Sequence, residues 1–335
     1  MARADLLKTL IRSFKQNDKE SFVKAAEYII DEEKKKNHLV LADELKRILY
    51  SEQTNIQKSI SVFQPITPPK DLDKNINLYE IKFPDRFFRD LVVNEMVEND
   101  LQSVIRDFQY WDTLVSNGIK PNNKILFCGP PGCGKTLAAE AIAGELGLPM
   151  LYVRFDAVIS SFLGETSNNL RKLFEYASSN SWVIFFDEFD AIGRSREDES
   201  EHGEVKRVVN AFLQLIDSFA GRSLIIAATN YEKVIDNALW RRFSEVVQFE
   251  LPNHAQIQIL LKRNLNRFHG PENKLRELVD ELIGFSHAEI ERICQSIVKQ
   301  CIFDNRDYFT QKDIERSYVK ELRRKQARIA NNTGG

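Results

Sequence analysis

The sequence predicts an α/β fold with a parallel sheet, preceded by a small helical module and followed by a helical region. Between residues 125 and 249, nearly continuous apolar runs alternate with helical segments. This alternation is typical of strands that are buried on both faces of a sheet. A glycine-rich turn joins the first of these runs to a helix, and beyond Pro252 the apolar residues keep helical spacing to the end of the chain.

The same patterns divide the chain into four parts. Residues 1–51 hold three sets of apolar residues at helical spacing, separated by polar turns, and we interpret them as a three-helix module. Residues 52–78 carry three prolines among polar residues, which is typical of a linker. Residues 79–252 form the α/β domain, and residues 253–335 form a helical lid domain. Because three short helices bury little apolar surface, we expect the first module to dock on a partner that its sequence does not name.

Composition and charge exclude several classes of protein. The chain has 335 residues, and its 47 Lys and Arg residues nearly balance its 49 Asp and Glu residues, so no strong field draws it to nucleic acid or to acidic membranes. The four cysteines lack the spacing of metal ligands, which indicates reduced thiols. No signal-peptide pattern begins the sequence, and its apolar runs are too short to span a membrane. These features predict a soluble, cytoplasmic protein.

Each element of the predicted fold has its own pattern. Tyr79–Pro84 alternates like a short strand, and a helical segment follows from Asn94 to about Val115. Thr310 and Asp313 have the spacing of a helix capping box. The buried strands are predicted at 125–128, 150–154, 182–186, 223–230 and 246–249, with helices at 137–143, at about 168–178 and beyond residue 252.

The glycine-rich turn is the part of the sequence with the clearest chemistry. It comprises Gly129, Pro130, Pro131, Gly132, Cys133, Gly134, Lys135 and Thr136, with Leu137 following in the predicted helix. This strand, turn and helix match the G-x-x-x-x-G-K-[ST] pattern of a P-loop, and we expect all nine residues to contact a nucleotide. The glycines let backbone N–H groups surround a polyphosphate, and the helix N-terminus adds partial positive charge. Lys135 would reach the β- and γ-phosphates, and the Thr136 hydroxyl would ligate Mg²⁺.

Two acidic residues end a later buried strand. Ligands of open α/β sheets bind at the carboxyl ends of the strands, where Asp187 and Glu188 would lie. Asp187 would hold the Mg²⁺ ion through water, and Glu188 would polarise the water that attacks the γ-phosphate. The alternative is a pair of solvated acids, which the P-loop in the same chain disfavours. We expect the nearby Asp190 to be structural.

Asn230 and two arginines complete the candidate site. Asn230 ends the next predicted strand, where a neutral amide would orient the attacking water or contact the γ-phosphate. Arg241 and Arg242 follow an apolar stretch and have no evident partner within the chain. They would act as arginine fingers that stabilise transition-state charge across a subunit boundary. A surface salt-bridge pair is the alternative.

In combination and in order, these motifs resemble those of AAA ATPases, a family of the AAA+ superfamily of P-loop NTPases. The resemblance runs from about residue 83 to about residue 318 and rests on GPPGCGKT (129–136), VIFFDEFDAIG (183–193), AATN (227–230), ALWRRF (238–243) and GFSHAEI (284–290). It implies that ATP and Mg²⁺ are bound, that Lys135 and Thr136 belong to Walker A and Asp187 and Glu188 to Walker B, and that Asn230 is sensor 1. The adjacent Arg241 and Arg242 are similar to the arginine fingers of katanin and spastin.

The resemblance also implies a ring, expected to be a hexamer, that threads a protein client through its pore. Phe162, Leu163 and Gly164 match the aromatic-aliphatic-glycine triplet of the first pore loop. Phe162 would offer apolar contact to any extended chain, and Gly164 would permit a sharp turn. Without the resemblance, Phe162 would be expected in a core. A second pore loop would fall within residues 196–204.

Three further segments have candidate roles. Asp217-Ser218-Phe219 resembles an intersubunit signalling motif whose glycine is replaced. In the second-sensor region, Ala288 stands where other branches of the family carry arginine, and His287 replaces a common glycine; His287 would contact the nucleotide or simply begin a helix. Apolar residues between 87 and 93 would pack near the nucleotide base or within the core.

We therefore expect an oligomeric ATPase that remodels, unfolds or threads protein clients. The chain is also similar to bacterial AAA proteins encoded beside subtilisin-like serine proteases, some of them in anti-phage defence, although it carries no protease signature itself. The rival class is a nucleotide-dependent switch or loader that acts on DNA. Near-neutral charge and the apolar pore triplet oppose DNA as a partner, whereas a basic C-terminal helix face favours it. That face comprises Arg323, Arg324, Lys325 and Arg328.

Overall fold

A computed structural model describes residues 19–35, 79–154, 163–189, 202–230 and 240–333. Its contacts divide the chain into two units, Met1–Thr67 and Pro68–Gly335. In the first unit the described part is helix α1, Lys19–Lys35, which coincides with the second predicted helix. The predicted first and third helices of that module lie outside the described residues.

The second unit is built on a six-stranded sheet with the order β1-β3-β4-β5-β2-β6. Strands β2 to β6 pair in parallel, as predicted, and the short β1 adds an antiparallel edge against β3. Consecutive strands are therefore not always neighbours, and β5 lies between β2 and β4. The strands are β1 (Glu80–Lys82), β2 (Lys124–Cys128), β3 (Met150–Arg154), β4 (Val183–Asp187), β5 (Leu224–Thr229) and β6 (Glu245–Gln248).

Helices cover both faces of this sheet. Along β2, Ile125 and Phe127 join one buried apolar cluster and Leu126 and Cys128 join another, so alternate side chains serve opposite faces. This two-sided burial explains why the strands are continuously apolar in sequence. The helices are a short 3-10 helix (Phe88–Asp90), α2 (Glu95–Gln109), α3 (Trp111–Ser116), α4 (Lys135–Leu146), α5 (Leu163–Ser178) and α6 (His202–Ser218).

Two helix boundaries differ from the sequence prediction. The segment predicted as one helix from Asn94 to about Val115 is two helices, because the backbone of Tyr110 (φ −93°, ψ 17°) leaves the helical region between α2 and α3. Helix α5 begins at Leu163 rather than at about residue 168. The start of α5 therefore includes two of the three residues predicted for the first pore loop.

The C-terminal part of the second unit is helical, as predicted. Its core is an apolar cluster separate from the two clusters of the sheet. The predicted capping box is confirmed: Asp313 Oδ2 accepts a 2.8 Å hydrogen bond from the Thr310 N–H, and Thr310 Oγ1 accepts one of 3.4 Å from the Asp313 N–H. Arg306 also donates to Asp313 at 3.0 Å, and this bond lowers the pKa of Asp313 to about 2. The helices are α7 (His254–Leu265), α8 (Glu272–Glu281), α9 (His287–Phe303) and α10 (Gln311–Thr333).

The strand order positions the candidate site. Strands β2, β5 and β4 are adjacent and parallel, so their carboxyl ends at Cys128, Thr229 and Asp187 lie along one edge of the sheet. The glycine-rich turn, Asn230 and Glu188 follow directly from these three ends. Segments far apart in the sequence thus meet at one edge.

Candidate active site

The glycine-rich turn connects β2 to α4, and its backbone leaves no room for a side chain at Gly129. Gly129 has φ 137°, and a Cβ atom at this position would lie 2.1 Å from the carbonyl oxygen of Phe249. Gly134 has φ 95° and directly precedes Lys135, the first residue of α4. The turn therefore presents main chain, rather than side chains, beside the N-terminus of a helix. Such an arrangement is suited to binding phosphate groups.

Lys135 is held at the base of this turn. Its Nζ atom donates hydrogen bonds to the carbonyl oxygens of Gly129 (2.6 Å) and Pro130 (2.9 Å). It also donates to Oδ1 of Asn230 at 2.8 Å. Because the side chain of Lys135 is buried by these contacts, its charge is fixed in position beside the turn.

Asp187 receives hydrogen bonds on both of its carboxylate oxygens. Oδ2 accepts from the hydroxyl of Tyr152 at 2.8 Å and from the hydroxyl of Thr136 at 3.4 Å, while Oδ1 accepts from the Glu188 N–H at 2.9 Å. The carboxylate thus lies next to the first turn of α4. The structure brings together Thr136 and Asp187, the two residues predicted to meet Mg²⁺.

Glu188 follows Asp187 in a backbone conformation that few side chains adopt. Its φ is 54°, in the left-handed region, and its side chain is exposed. Non-glycine residues in this region cost about 1 kcal/mol or more, and they concentrate at functional sites. Directly after it, the Phe189 N–H donates a 2.9 Å hydrogen bond to the carbonyl oxygen of Ala228 on β5.

The donor set near Thr136 and Asp187 fits Mg²⁺ only in the presence of a phosphate ligand. Within the described ranges, no group of three or more His, Cys, Asp or Glu residues is arranged to hold a metal ion. A hydroxyl and a single carboxylate supply hard oxygen ligands, and Mg²⁺ is commonly bound by one or two carboxylates together with substrate phosphates and water. The residues present therefore fit a nucleotide-bound Mg²⁺ ion.

Comparison with known proteins agrees with this geometry. Residues 125–251 match the family described as "ATPase family associated with various cellular activities (AAA)". The "Uncharacterized AAA family ATPase y4kL" of Sinorhizobium fredii is 40% identical over 333 residues, which cover 98% of this chain and 99% of that protein. The chain belongs to the AAA ATPase family. As a member of this family it binds and hydrolyses ATP.

Two further relatives of this AAA ATPase are archaeal. A "Putative 26S proteasome regulatory subunit homolog" of Methanocaldococcus jannaschii is 30% identical over 307 residues, 90% of this chain and 78% of that protein. A "Proteasome-activating nucleotidase" of Thermococcus onnurineus is 36% identical over 212 residues, 61% of this chain and 53% of that protein.

A cavity of about 300 Å³ lies beside the glycine-rich turn of the AAA ATPase. Its apolar lining comes from Leu91 to Val93, from Leu137 in α4 and from Leu260 in the lid. Its polar lining includes His287 and the charged side chains of Arg86, Asp90, Arg263 and Glu291. The His287 Nε2 atom lies 2.8 Å from the carbonyl oxygen of Val92, so its neutral tautomer donates there. Burial lowers the pKa of His287, although the bond to Val92 opposes this shift.

The lid also contacts the glycine-rich turn directly. The Ala288 N–H, in the first turn of α9, donates a 3.1 Å hydrogen bond to the carbonyl oxygen of Gly132. A Cβ atom on Gly132 would lie 2.9 Å from Ser286 Oγ. The start of α9, where the second sensor was predicted, is therefore packed against the P-loop of the AAA ATPase.

The two predicted arginine fingers differ in their surroundings. Arg242 donates to Asp217 Oδ2 at 3.1 Å, whereas Arg241 is exposed. The expectation that neither arginine has a partner within the chain was wrong for Arg242. The sequence did not reveal this pair because Asp217 lies in the last turn of α6, 25 positions before Arg242.

Other predicted residues fall partly or wholly outside the described ranges. Phe162 and Asp190 lie outside them, and of the predicted second pore loop only residues 202–204, at the start of α6, are described. Leu163 and Gly164 begin α5. In the part of the AAA ATPase that the structure describes, no helix is long and apolar enough to cross a membrane. None of the four cysteines forms a disulfide.

Sequence reasoning missed Tyr152, whose hydroxyl donates to Asp187. The alternation of residues along β3 would place its side chain on a definite face of the sheet. The sequence alone does not tell which strand lies beside β3, so it does not pair this phenol with Asp187.

Proposed function

We propose that this AAA ATPase works as a hexameric ring that uses ATP hydrolysis to unfold or thread protein clients. The observation that carries the proposal is the exposed guanidinium of Arg241, which is free to reach a neighbouring subunit. The adjacent Arg242 is held by Asp217, and this bond would keep the two neighbouring arginines in a fixed position. The archaeal relatives that are named for proteasomes support protein as the client.

Within each subunit, we assign the nucleotide phosphates to residues 129–137. Main-chain N–H groups of the turn and the N-terminus of α4 would bind the phosphate oxygens, and Lys135 would neutralise part of their charge. Leu91 to Val93, Leu137 and Leu260 line the adjacent cavity with apolar atoms, which suits the adenine base. Because the cavity has walls from both the α/β region and the lid, ATP would hold the two together.

Catalysis would depend on four groups at the edge of the sheet. Thr136 and Asp187 would hold Mg²⁺, which when bound supplies positive charge to the phosphate oxygens. Glu188 would accept a proton from the attacking water, and Asn230 would orient that water or the γ-phosphate. The guanidinium of Arg241 from the adjacent subunit would stabilise the charge that develops on the transferred phosphoryl group.

The trans role of Arg241 is tested by mixing two inactive proteins. Lys135→Ala would remove a nucleotide-binding group, and Arg241→Ala would remove the finger. Rings mixed from both variants contain interfaces at which an intact Lys135 meets an intact Arg241, so ATPase activity should return. Mixtures that stay inactive, while each variant still assembles into rings, would contradict the assignment.

Assembly is tested by sedimentation of the Glu188→Gln protein with and without ATP and Mg²⁺. We expect a shift from small species to a hexamer, because nucleotide would bridge the subunit interface. A monomer in both conditions would leave the ATP site intact and exclude the self-assembled ring.

Work on a client is tested at the predicted pore loop. Phe162→Ala should leave basal ATP hydrolysis largely intact and stop ATP-dependent unfolding of a protein substrate, because the aromatic ring would grip the chain.

We further propose a separately encoded subtilisin-like serine protease, acting in bacterial defence, as a partner. ATP-dependent degradation of a client by the two proteins together, and by neither alone, is the expected result.

A DNA switch or loader is the second candidate, and one observation favours it. A cavity of about 500 Å³ between α9 and α10 is lined by Lys299, Arg316, Lys320 and Arg324. Its two acids, Asp313 and Glu321, are already bonded to Arg306 and Arg292. The predicted basic face is smaller than expected, however, because Lys325 donates to the carbonyl oxygen of Gly284 and its Nζ lies 4.0 Å from the centroid of the Phe285 ring.

Binding of labelled duplex DNA at two salt concentrations separates the two candidates. A DNA-binding protein should lose affinity steeply as salt rises, and charge reversal at Lys320 and Arg324 should weaken it further. We expect no such binding from the protein-threading ring.

A further inference from the structure

We propose that Tyr152 is a positioning residue that fixes the Asp187 carboxylate for the nucleotide-bound metal ion. The inference rests on the proposed role of Asp187 in holding Mg²⁺ and adds a residue from a different strand to that site. Tyr152 belongs to β3, outside the predicted Walker segments.

The strand register brings the two side chains to the same face of the sheet. Tyr152 is the parallel partner of Phe185, and Asp187 follows Phe185 by two positions. Side chains two residues apart on a strand point to the same face, so Asp187 is a diagonal neighbour of Tyr152. A long side chain that leans toward the carboxyl end of β3 spans this diagonal, and the Tyr152 hydroxyl lies 2.8 Å from Asp187 Oδ2. A serine or valine at this position would be too short.

The ring of Tyr152 is held by neighbours on two strands. The Nζ atom of Lys82, on β1, lies 3.8 Å from the centroid of the ring, and the ring of Phe185 lies 5.8 Å away on β4. Lys82 is itself 3.7 Å from Glu140 on α4. A cation over a phenol draws electron density from the ring, which makes its hydroxyl a better donor. The antiparallel edge strand therefore supports the bond to Asp187.

The Thr136 hydroxyl shares the Asp187 oxygen that Tyr152 bonds. The hydroxyl of Thr136 donates its proton to the same Oδ2 atom at 3.4 Å, which leaves its oxygen lone pairs for a metal ion. With Oδ1 held by the Glu188 N–H at 2.9 Å, the plane of the carboxylate is fixed by three donors. Partners of this kind orient metal ligands, and their loss commonly weakens metal binding about 10-fold or more.

The test is Tyr152→Phe, which keeps the ring and its contacts and removes only the hydroxyl. We would measure Mn²⁺ binding by electron paramagnetic resonance, using the full chain with saturating ATP in a Glu188→Gln background that blocks turnover. Loss of the hydroxyl should weaken Mn²⁺ binding about 10-fold. ATP binding in EDTA should stay unchanged, because the Tyr152 hydroxyl would act on the metal ion through Asp187 and not on the phosphates. Tyr176→Phe is the matched control, since it removes a phenol hydroxyl on helix α5, where the ring stacks on Tyr79.

The remaining outcomes each overturn the proposal. Unchanged or tighter Mn²⁺ binding would show that the hydroxyl does not help Asp187 bind metal. Weaker ATP binding in EDTA, together with a lower melting temperature, would assign Tyr152 to packing alone. Thr136→Val and Asp187→Asn distinguish a failure of the role proposed for Tyr152 from a failure of the proposed metal site. If they weaken Mn²⁺ binding and Tyr152→Phe does not, only the role of Tyr152 is wrong; if none of the three does, the metal site itself is wrong.

Discussion

The Nζ atom of Lys135 lies 2.8 Å from Oδ1 of Asn230, although the two residues are 95 positions apart in the sequence. Lys135 begins the helix after β2, and Asn230 follows β5, the strand that pairs with β2. The contact gives the amide a definite orientation, because Oδ1 accepts from Lys135 and the NH₂ group is the end that remains to donate. The lysine predicted to bind phosphate is thereby joined to the amide that we propose for the reaction.

Replacement of Asn230 by alanine should lower the turnover of ATP about 10²-fold with a small change in ATP affinity. The reason is that the amide would act on the attacking water or on charge developing at the γ-phosphate. Steady-state kinetics and nucleotide binding, measured on the same preparation, check this. Asn117→Ala, which removes an exposed amide at the end of α3, serves as the control. Equal losses in affinity and in catalytic efficiency would assign Asn230 to ground-state binding.

Replacement of Glu188 by glutamine should lower hydrolysis at least about 10²-fold while ATP stays bound, because an amide does not accept the proton that a carboxylate accepts. Single-turnover hydrolysis and retention of labelled ATP are the measurements. Glu98→Gln, on the surface of α2, changes the same charge away from the site and should have no effect. Rapid formation of ADP by the Glu188 variant would exclude Glu188 as the general base.

Loss of Arg241 should reduce turnover more than loss of the ion pair that holds Arg242. Arg241→Ala should reduce ring-dependent turnover about 10³-fold and spare ATP binding, since its charge would act on the transition state. Asp217→Asn breaks the ion pair with Arg242 and should reduce turnover by a smaller factor, because the finger pair loses its support. Turnover and sedimentation are measured together, so that failure to assemble is recognised. Normal turnover of the Arg241 variant would remove it from the site.

Gly129→Ala should destabilise the protein more than Gly118→Ala. Both glycines have positive φ, so each substitution carries a backbone cost of about 1 kcal/mol. At Gly129 the new Cβ also meets the Phe249 carbonyl oxygen at 2.1 Å, whereas at Gly118 it meets nothing within 4 Å. Urea denaturation measures both variants. Equal losses in the free energy of unfolding would show that the turn moves to accommodate a side chain.

Stability should fall on acidification through the titration of His287. Its pKa in the folded protein is lowered by burial below the ordinary histidine value of 6.5, so the unfolded chain takes up the proton first as the pH falls. This contribution to stability is complete above pH 6.5 and is lost between 6.5 and the lower folded pKa. Urea denaturation at several pH values checks this, with His287→Gln as the comparison, because glutamine does not titrate. Identical pH profiles in this window would contradict the prediction.

The sequence by itself determined the chemistry of the candidate site and much of the architecture. The P-loop pattern, the acidic strand end and the continuous apolar runs predicted a parallel α/β fold with ATP as the ligand, because each depends on residues close together in the chain. The capping box of Thr310 and Asp313 was predictable for the same reason.

Only the tertiary structure decided which distant residues meet. The insertion of β5 between β2 and β4 brings Asn230 to Lys135, and the register of β3 on β4 brings Tyr152 to Asp187. The pairing of Arg242 with Asp217 and the contact of α9 with the glycine-rich turn are likewise tertiary. Strand order and register depend on packing and loop closure across the whole domain, so a local sequence pattern does not fix them.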